Sequence, residues 1–148
     1  MLSAHEIVAF VGTATPSRAK DFYRNTLGLR LVSEDGFALV FDAGGRMLRV
    51  AIVPEVRPAG YTVLGWKVPD IERVVRGLVQ RSLVFRRYAG LEQDELGIWS
   101  APSGARVAWF EDPDGNTLSL TEFEQAPTRR RSTKRPARKS SKRRGRRT

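Results

Sequence analysis

Apolar and polar residues alternate with a period of two along most of the first half of the chain, which is the pattern of half-buried β-strands. Strand-like segments span residues 6–13, 29–33, 37–42 and 47–53, and Asp35-Gly36 and Gly44-Gly45 supply turn residues. Over residues 15–27 the spacing becomes that of an amphipathic helix. Thr15 is its predicted N-cap, Pro16 stands in its first turn, and one face carries Ala19, Phe22, Tyr23 and Leu27.

The second half of the chain repeats this order of elements. A strand is predicted over residues 61–68, a helix begins at Asp70, and several short strands follow. Asp70 follows Thr15 by 55 positions, and the second helix carries Ile71, Val74, Val75 and Leu78 at helical spacing. Two βαβββ modules, each with a helix covering one apolar sheet face, predict an α+β fold. We expect the opposite faces of the two curved mixed sheets to form a shared cup.

Strand alternation predicts which side chains point into that cup. In residues 47–53, Leu48, Val50 and Ile52 form the helix-facing set, which leaves Met47 and Arg49 for the cup. The other strands are divided in the same way. Leu64, Trp66, Val68, Leu118 and Leu120 are predicted to face the helices, and Tyr61, Val63, Gly65, Thr117, Ser119 and Thr121 to face the cup.

Charge divides the chain into two parts. All 16 acidic residues precede position 125, whereas 12 of the 26 Lys and Arg residues lie from position 129 onward. Residues 1–124 therefore carry 14 basic and 16 acidic residues, a formal net charge of −2 against +10 for the whole chain. We predict a folded domain over residues 1–124 and a tail over residues 125–148. The tail contains no aromatic or large aliphatic residue, so we expect it to be disordered.

The predicted tail has the composition of a polyanion-binding segment, because each neutralised phosphate releases a counterion. Nucleic acid or an anionic membrane surface would serve as its partner, without sequence-specific readout. The candidate nucleic-acid-binding residues are Arg129, Arg130, Arg131, Lys134, Arg135, Arg138, Lys139, Lys142, Arg143, Arg144, Arg146 and Arg147.

Cysteine is absent, which excludes disulfides and thiolate chemistry and favours a reducing compartment. The first residues lack the basic and apolar regions of a signal peptide, and no apolar run is long enough to span a membrane. The expected location is therefore the cytoplasm.

Three segments in order, Phe22-Tyr23-Arg24-Asn25-Thr26-Leu27-Gly28-Leu29, Trp66-Lys67-Val68-Pro69-Asp70-Ile71-Glu72 and Asp112-Pro113-Asp114-Gly115-Asn116, resemble the vicinal oxygen chelate superfamily. This group includes glyoxalases, extradiol dioxygenases, and bleomycin and fosfomycin resistance proteins. The resemblance covers residues 5 to about 122. It implies the paired βαβββ fold and leaves the activity open, and we favour a homodimer.

The resemblance also implies where a metal would be held in the metal-dependent members. The four ligand positions, usually His and Glu, fall on Val8, Arg49, Val63 and Ser119. None of these is a good ligand for a divalent ion. His5, the only histidine, is expected at the frayed start of a strand and on the face opposite Val8. The sequence therefore predicts no metal and no cofactor.

The remaining cup is mostly apolar with a few polar groups, as small-molecule pockets commonly are. We expect a small-molecule-binding protein similar to the sequestering resistance proteins, with an aromatic or anionic ligand that Arg49 could hold through its guanidinium. The acidic segment of residues 91–97 is a candidate rim loop. The predicted ligand-binding residues are Val8, Phe10, Met47, Arg49, Tyr61, Val63, Trp99, Trp109 and Ser119.

Two other functions stay open on the sequence. One is a metal-dependent lyase, isomerase or dioxygenase of the same fold with displaced ligands such as Glu6, Glu92 or Asp94. The other is a dimeric scaffold that presents the basic tails to nucleic acid. Catalytic residues are not predicted, and the sequence does not tell whether the two modules close one cup within a chain or across a dimer.

Overall fold

The computed structural model describes residues 1–126, and the predicted tail from residue 127 onward lies outside the described residues. A short 3-10 turn, Leu2–Ala4, precedes the first module. That module consists of β1 (Ala9–Thr13), α1 (Pro16–Asp21), a π-helical turn (Phe22–Thr26), β2 (Arg30–Glu34), β3 (Ala38–Asp42) and β4 (Met47–Ile52).

The second module has the same order of elements. It consists of β5 (Leu64–Lys67), α2 (Ile71–Gln80), β6 (Trp99–Ser100), β7 (Arg106–Glu111) and β8 (Thr117–Glu122). Sheet A has the strand order β1-β4-β3-β2, and sheet B has the equivalent order β5-β8-β7-β6. The pairs β1–β4 and β5–β8 are parallel, and the other neighbouring strands pair antiparallel. The predicted α+β fold of two βαβββ modules is thus confirmed.

Three predicted elements differ from the structure by more than one residue, and the first of them is the strand expected over residues 6–13, which begins only at Ala9. The α-helix expected over residues 15–27 ends at Asp21, and the chain then widens into the π-helical turn, in which the Leu27 N–H donates to the Phe22 carbonyl. This turn keeps both Phe22 and Tyr23 buried. The strand expected over residues 61–68 is shortened to β5, although one backbone hydrogen bond on each side extends its pairing with β8.

The core lies between the two sheets and includes both helices. Each sheet has an inner face, which packs on this core, and an outer face on its other side. On sheet A, Leu48 and Val50 of β4 point inward and are fully buried, and on sheet B Leu118 and Phe110 do the same. The Phe22 and Phe110 rings, one from each module, are 6.4 Å apart. One continuous core therefore joins the two modules. The inward assignments made from strand alternation are confirmed except at Ile52, which is half-buried and does not belong to this core.

The turn between β7 and β8 fastens the second module to the first. The buried Asp112 carboxylate accepts hydrogen bonds from the Tyr23 hydroxyl (2.7 Å), from the Asn116 side-chain amide (2.8 Å), and from the backbone N–H groups of Asp114 and Asn116. The Asn116 amide also donates to the Gly12 carbonyl of β1 (2.8 Å). Burial and the nearby negative charge of Asp112 raise the pKa of Tyr23 far above its usual range, so its hydroxyl keeps the proton that it donates.

Asp114, in the same turn, accepts hydrogen bonds from the three residues that precede α1. Its carboxylate accepts from the Thr13 hydroxyl (2.6 Å), the Ala14 N–H (2.8 Å) and the Thr15 hydroxyl (3.3 Å). Thr15 occupies the predicted N-cap position, but its side chain makes no hydrogen bond to a helix N–H. A residue from the other module therefore supplies the carboxylate at this helix start.

Sheets A and B are separate, since no strand pair within residues 1–126 joins them. The outer faces that the sequence assigns to one cup therefore belong to two unlinked sheets. Helices long and apolar enough to cross a membrane do not occur in this described part of the chain.

Candidate functional site on the outer face of sheet B

On the outer face of sheet B, strand register places residues of neighbouring strands side by side. In one row Gly65 of β5 lies beside Ser119 of β8, and Ser119 lies beside Trp109 of β7. In the next row Thr117 pairs with Glu111. The sequence produces this face because Trp109 and Glu111 alternate with the buried residues Ala108 and Phe110 along β7.

A cavity of about 530 Å³ opens over one end of this face. Its walls come from the chain before β5, from the segment between α2 and β6, and from β7 and β8. Aromatic rings of Tyr61, Tyr88 and Trp109 form part of the lining, and its polar groups belong to Thr62, Arg86, Glu111 and Thr117. The volume falls within the range of small-molecule sites, which combine apolar walls with a few fixed polar groups.

Three aromatic side chains are in contact here, and two of them, Tyr88 and Trp109, line the cavity. The Tyr88 and Trp109 rings meet edge to face with centroids 5.5 Å apart, and Trp99 lies 6.0 Å from Trp109 on the other side. The indole N–H of Trp109 donates to the Thr62 hydroxyl (3.2 Å). Since the hydrogen bond and the two ring contacts fix its orientation, the Trp109 indole is a preorganised surface for stacking.

The charged groups of the cavity are paired with each other. The Arg86 guanidinium lies 3.2 Å from the Glu111 carboxylate. The backbone N–H of Arg86 donates a hydrogen bond to the Trp109 carbonyl (2.8 Å). Both side chains are partly exposed, so the pair contributes little to stability. The pair leaves the cavity lining without net charge and places a donor and an acceptor side by side.

The predicted acidic rim loop is a compact turn outside the cavity lining. The Gln93 side chain ties it together through hydrogen bonds with the Tyr88 N–H and with the Arg86 and Gly97 carbonyls. The Asp94 carboxylate accepts from two backbone N–H groups, those of Leu96 and Ile98. Asp94 thus has a structural role here, while Gln93 supports the backbone that carries Tyr88.

The structure divides the predicted ligand-binding residues between the two sheets. Val8, Phe10, Met47 and Arg49 lie on the outer side of sheet A, where Phe10 pairs with Arg49 in register and its side chain is 60% exposed. The other five belong to sheet B and its flanks. Tyr61 and Trp109 line the cavity and Trp99 packs behind it, whereas Val63 and Ser119 are not part of its lining.

Two of these residues have neighbours that limit their role as ligand contacts. Arg49 carries a charge felt by Asp35, whose pKa is lowered by backbone hydrogen bonds from Phe37 and Ala38 and further by Arg49. Ser119 is 94% buried, and a Cβ added at Gly65 would lie 2.7 Å from its hydroxyl oxygen. Gly65 is therefore needed for Ser119 to sit against β5.

The positions that the resemblance assigns to metal ligands do not fit a divalent ion. Val8 and Val63 offer no donor atom, Arg49 is cationic, and Ser119 offers a single hydroxyl. The displaced candidates are also scattered, since Glu6 pairs with Arg46 at 3.5 Å and Asp94 is held in its turn. Within residues 1–126, His, Asp and Glu side chains nowhere gather in a group of three that could hold a metal.

Sequence reasoning missed most of the polar lining of the cavity. Glu111 could have been found, because it follows Val107 and Trp109 on the outer side of β7. Arg86 and Tyr88 lie in an irregular segment without periodicity, and their place depends on hydrogen bonds to Trp109 and Gln93. The sequence carries no local signal for such contacts.

Comparison with known proteins agrees with this architecture. Residues 5–120 match the family described as the Glyoxalase/Bleomycin resistance protein/Dioxygenase superfamily. No curated protein matches the sequence.

Solved structures with the same fold include a member of this superfamily from Sphaerobacter thermophilus DSM 20745, with 26% identity, a TM-score of 0.62, and coverage of 82% of this chain and 99% of that one. A glyoxalase family protein from Bacillus anthracis matches at 15% identity and a TM-score of 0.64, covering 81% and 95%. A lactoylglutathione lyase from Agrobacterium tumefaciens matches at 16% identity and a TM-score of 0.63, with coverage of 80% of this chain and 93% of that one. The chain therefore belongs to the Glyoxalase/Bleomycin resistance protein/Dioxygenase superfamily.

Proposed function

We propose that this protein is a metal-independent small-molecule-binding protein that sequesters a flat, partly apolar ligand. The observation that carries the proposal is the cavity beside Trp109, with aromatic walls and a self-paired Arg86–Glu111 edge. A planar ring system would stack on the fixed indole and direct its polar edge to the paired charges. The lyase named among the structural neighbours shares only the fold at 16% identity, and its reaction does not transfer.

Metal independence is proposed from the chemistry of the side chains at the four family positions. Two aliphatic groups, a guanidinium and a buried hydroxyl cannot form a coordination shell of three or more protein ligands. Ligand binding would then rest on stacking and hydrogen bonds alone.

The charge of the preferred ligand follows from the same cavity. Arg86 is already neutralised by Glu111, so this half of the site favours an uncharged ligand. Arg49, which the sequence proposes as an anion-binding group, is on sheet A. It would act on the ligand only where the outer face of sheet A also reaches the cavity.

A homodimer would supply that face. The outer side of sheet A exposes Phe10, Met47 and Val8, with 60%, 45% and 41% of their surfaces accessible, and such a patch is typical of an interface. We propose that sheet A of one copy covers the sheet B cavity of the other. The two sets of predicted ligand residues would then meet between subunits.

The basic tail adds a second proposed activity. We propose that residues 1–124 form the ligand-binding domain and residues 125–148 a polyanion-binding extension, with cytoplasmic nucleic acid as the partner. Its 12 cations support this assignment. Affinity for nucleic acid would fall steeply with salt and depend little on base sequence.

The proposal is tested with three naphthalene probes of matched shape, titrated into the full chain by calorimetry. These are 2-naphthamide (neutral), 2-naphthoate (anionic) and 2-naphthylmethylammonium (cationic). We expect saturable binding of the neutral probe, with quenching of Trp fluorescence and unchanged affinity after exhaustive chelation. Stoichiometric metal on the purified protein, together with chelator-sensitive binding, would overturn metal independence. Absence of binding by all three probes would overturn the cavity assignment.

A further inference from the structure

A second, smaller cavity lies on the other side of sheet B, at the seam between the two modules. Its volume is about 190 Å³. Leu27 and Leu29 of the first module face Trp66, Val74 and Leu78 of the second across it. We call this space the seam cavity. It is separated from the Trp109 cavity by sheet B itself, because Trp66 and Leu120 point inward whereas Trp109 points outward.

The seam cavity is lined mainly by apolar side chains, of which Leu78, Phe110 and Leu120 are buried. Lys67 also belongs to the lining, and its ammonium lies over the Phe123 ring, 5.9 Å from the ring centroid. Leu27, Leu29, Trp66 and Val74 are each half-buried and pack on the edge of the core. The Trp66 ring stacks on Phe110 at a centroid distance of 6.4 Å, which fixes its orientation. An apolar space of this size that opens to solvent at one side has room for one ring or a short branched chain.

A guanidinium outside the lining lies close to the leucines of the first module. Arg81 follows Leu78 by three residues at the C-terminal end of α2, and its Nη1 donates to the carbonyls of Asn25 (3.5 Å) and Thr26 (3.1 Å), just before Leu27. The same Nη1 lies 3.2 Å from the position of a Cβ at Gly28, between the two lining leucines. Arg81 therefore links α2 to the backbone that flanks the lining residues Leu27 and Leu29.

Most of the hydrogen-bonding capacity of Arg81 is unused. Within residues 1–126, its Nε and Nη2 make no hydrogen bond and no carboxylate pairs with it, and all 16 acidic residues of the chain lie in that range. The side chain is exposed and yet held in place by two carbonyls. A guanidinium positioned in this way presents a fork of free donors that matches a carboxylate.

We infer that the seam cavity is a binding site for a small carboxylic acid with a compact apolar group. The apolar group would fill the space between Leu27, Trp66 and Val74, and the carboxylate would accept hydrogen bonds from Nε and Nη2 of Arg81. The bound acid contacts both modules, so it stabilises their association by mass action. This site is separate from the proposed ligand cavity and does not depend on it.

The probe for this site is cyclohexylacetate, because its non-planar ring does not suit stacking on Trp109. For about 10 non-hydrogen atoms we expect a dissociation constant of about 1 mM, given the affinity per atom of small ligands. NMR titration of the full chain should shift the indole signal of Trp66, assigned with a Trp66→Phe variant, and leave that of Trp109 in place. Cyclohexylacetamide, the neutral isostere, should bind about tenfold more weakly because the charge-assisted pair is lost.

Two variants test the geometry. Arg81→Gln should weaken cyclohexylacetate about tenfold, whereas Arg76→Gln, an equal charge change at another exposed position of α2, should leave it within about twofold. Val74→Phe should fill the cavity and abolish binding while the fold, followed by its thermal transition, is kept. Trp109→Ala should have no effect. Equal effects of the two arginine variants, shifts centred on Trp109, or no saturable binding would each overturn the inference.

Discussion

The two modules share one topology, yet their outer faces differ in what they offer to other molecules. Sheet A exposes Phe10, Val8 and Met47 on a surface that bears Arg49. Sheet B instead has a walled cavity with aromatic rings and a neutral Arg86–Glu111 pair. Their inner faces are equivalent, because each packs aliphatic residues on the common core. Repetition therefore preserves the inward pattern that folding needs and leaves the outer faces free to diverge, one into an exposed apolar surface and the other into a walled cavity.

The turn between β7 and β8 joins the two modules, and the largest effect is expected from a variant that breaks its hydrogen bonds. Asp112→Ala should lower the free energy of unfolding by about 3 kcal/mol, since it leaves the buried Tyr23 hydroxyl and the Asn116 amide without their acceptor. Denaturant unfolding measures it. Asp21→Ala, which removes an exposed aspartate of α1, should change stability by no more than about 0.5 kcal/mol. A loss equal to that of the control would show that the turn does not fasten the modules.

The exposed face of sheet A should matter for assembly and not for folding. Phe10→Asp should weaken a homodimer at least about 30-fold, or about 2 kcal/mol, because it places a charge in an apolar contact. Sedimentation equilibrium measures this change. Val84→Asp, at a side chain that is 77% exposed in the second module, should leave the association constant unchanged. If both variants behave alike, or the wild-type chain is a monomer at all concentrations, sheet A is not the interface.

The cavity of sheet B should respond to removal of its aromatic wall. Trp109→Ala should weaken the binding of 2-naphthamide about tenfold, since stacking on the fixed indole is lost. Calorimetry compares it with Phe123→Ala, which removes an exposed ring outside the cavity lining. Unchanged affinity in the Trp109 variant would place the ligand elsewhere.

The Tyr23–Asp112 contact should also make the free energy of unfolding depend on pH in the alkaline range. The folded state raises the pKa of Tyr23 above the ordinary value of 10.0, so the native protein holds this proton where the unfolded chain loses it. The contribution of the protonated Tyr23 hydroxyl to the free energy of unfolding is fully present below about pH 10. It falls as pH rises above that value, by about 0.8 kcal/mol at pH 10.5. Tyr23→Phe should lose less stability between pH 9 and pH 10.5 than the wild type, measured by urea unfolding. Parallel curves for the two proteins would contradict the assignment.

The amino-acid sequence alone predicted the repeated module and the inward side chains, because strand and helix periodicity are local properties. Alternation correctly directed Leu48, Val50 and Leu118 to the core and Trp66 to the helix side. The motif Asp112 to Asn116 was recognisable as a turn. Its contacts with Tyr23, Thr13 and Gly12 connect residues that are 89 to 104 positions apart in the sequence. Those contacts could not be predicted from the turn chemistry.

Only the tertiary structure decided which candidate residues share a site. Val8, Phe10, Met47 and Arg49 have the alternation of a binding face, but they belong to sheet A and its flank and do not line the cavity that contains Trp109. Arg86 and Tyr88 entered the cavity through hydrogen bonds of an irregular segment that has no period to detect. Periodicity determines the face of an element on which a side chain lies, whereas the packing of whole elements determines which faces meet.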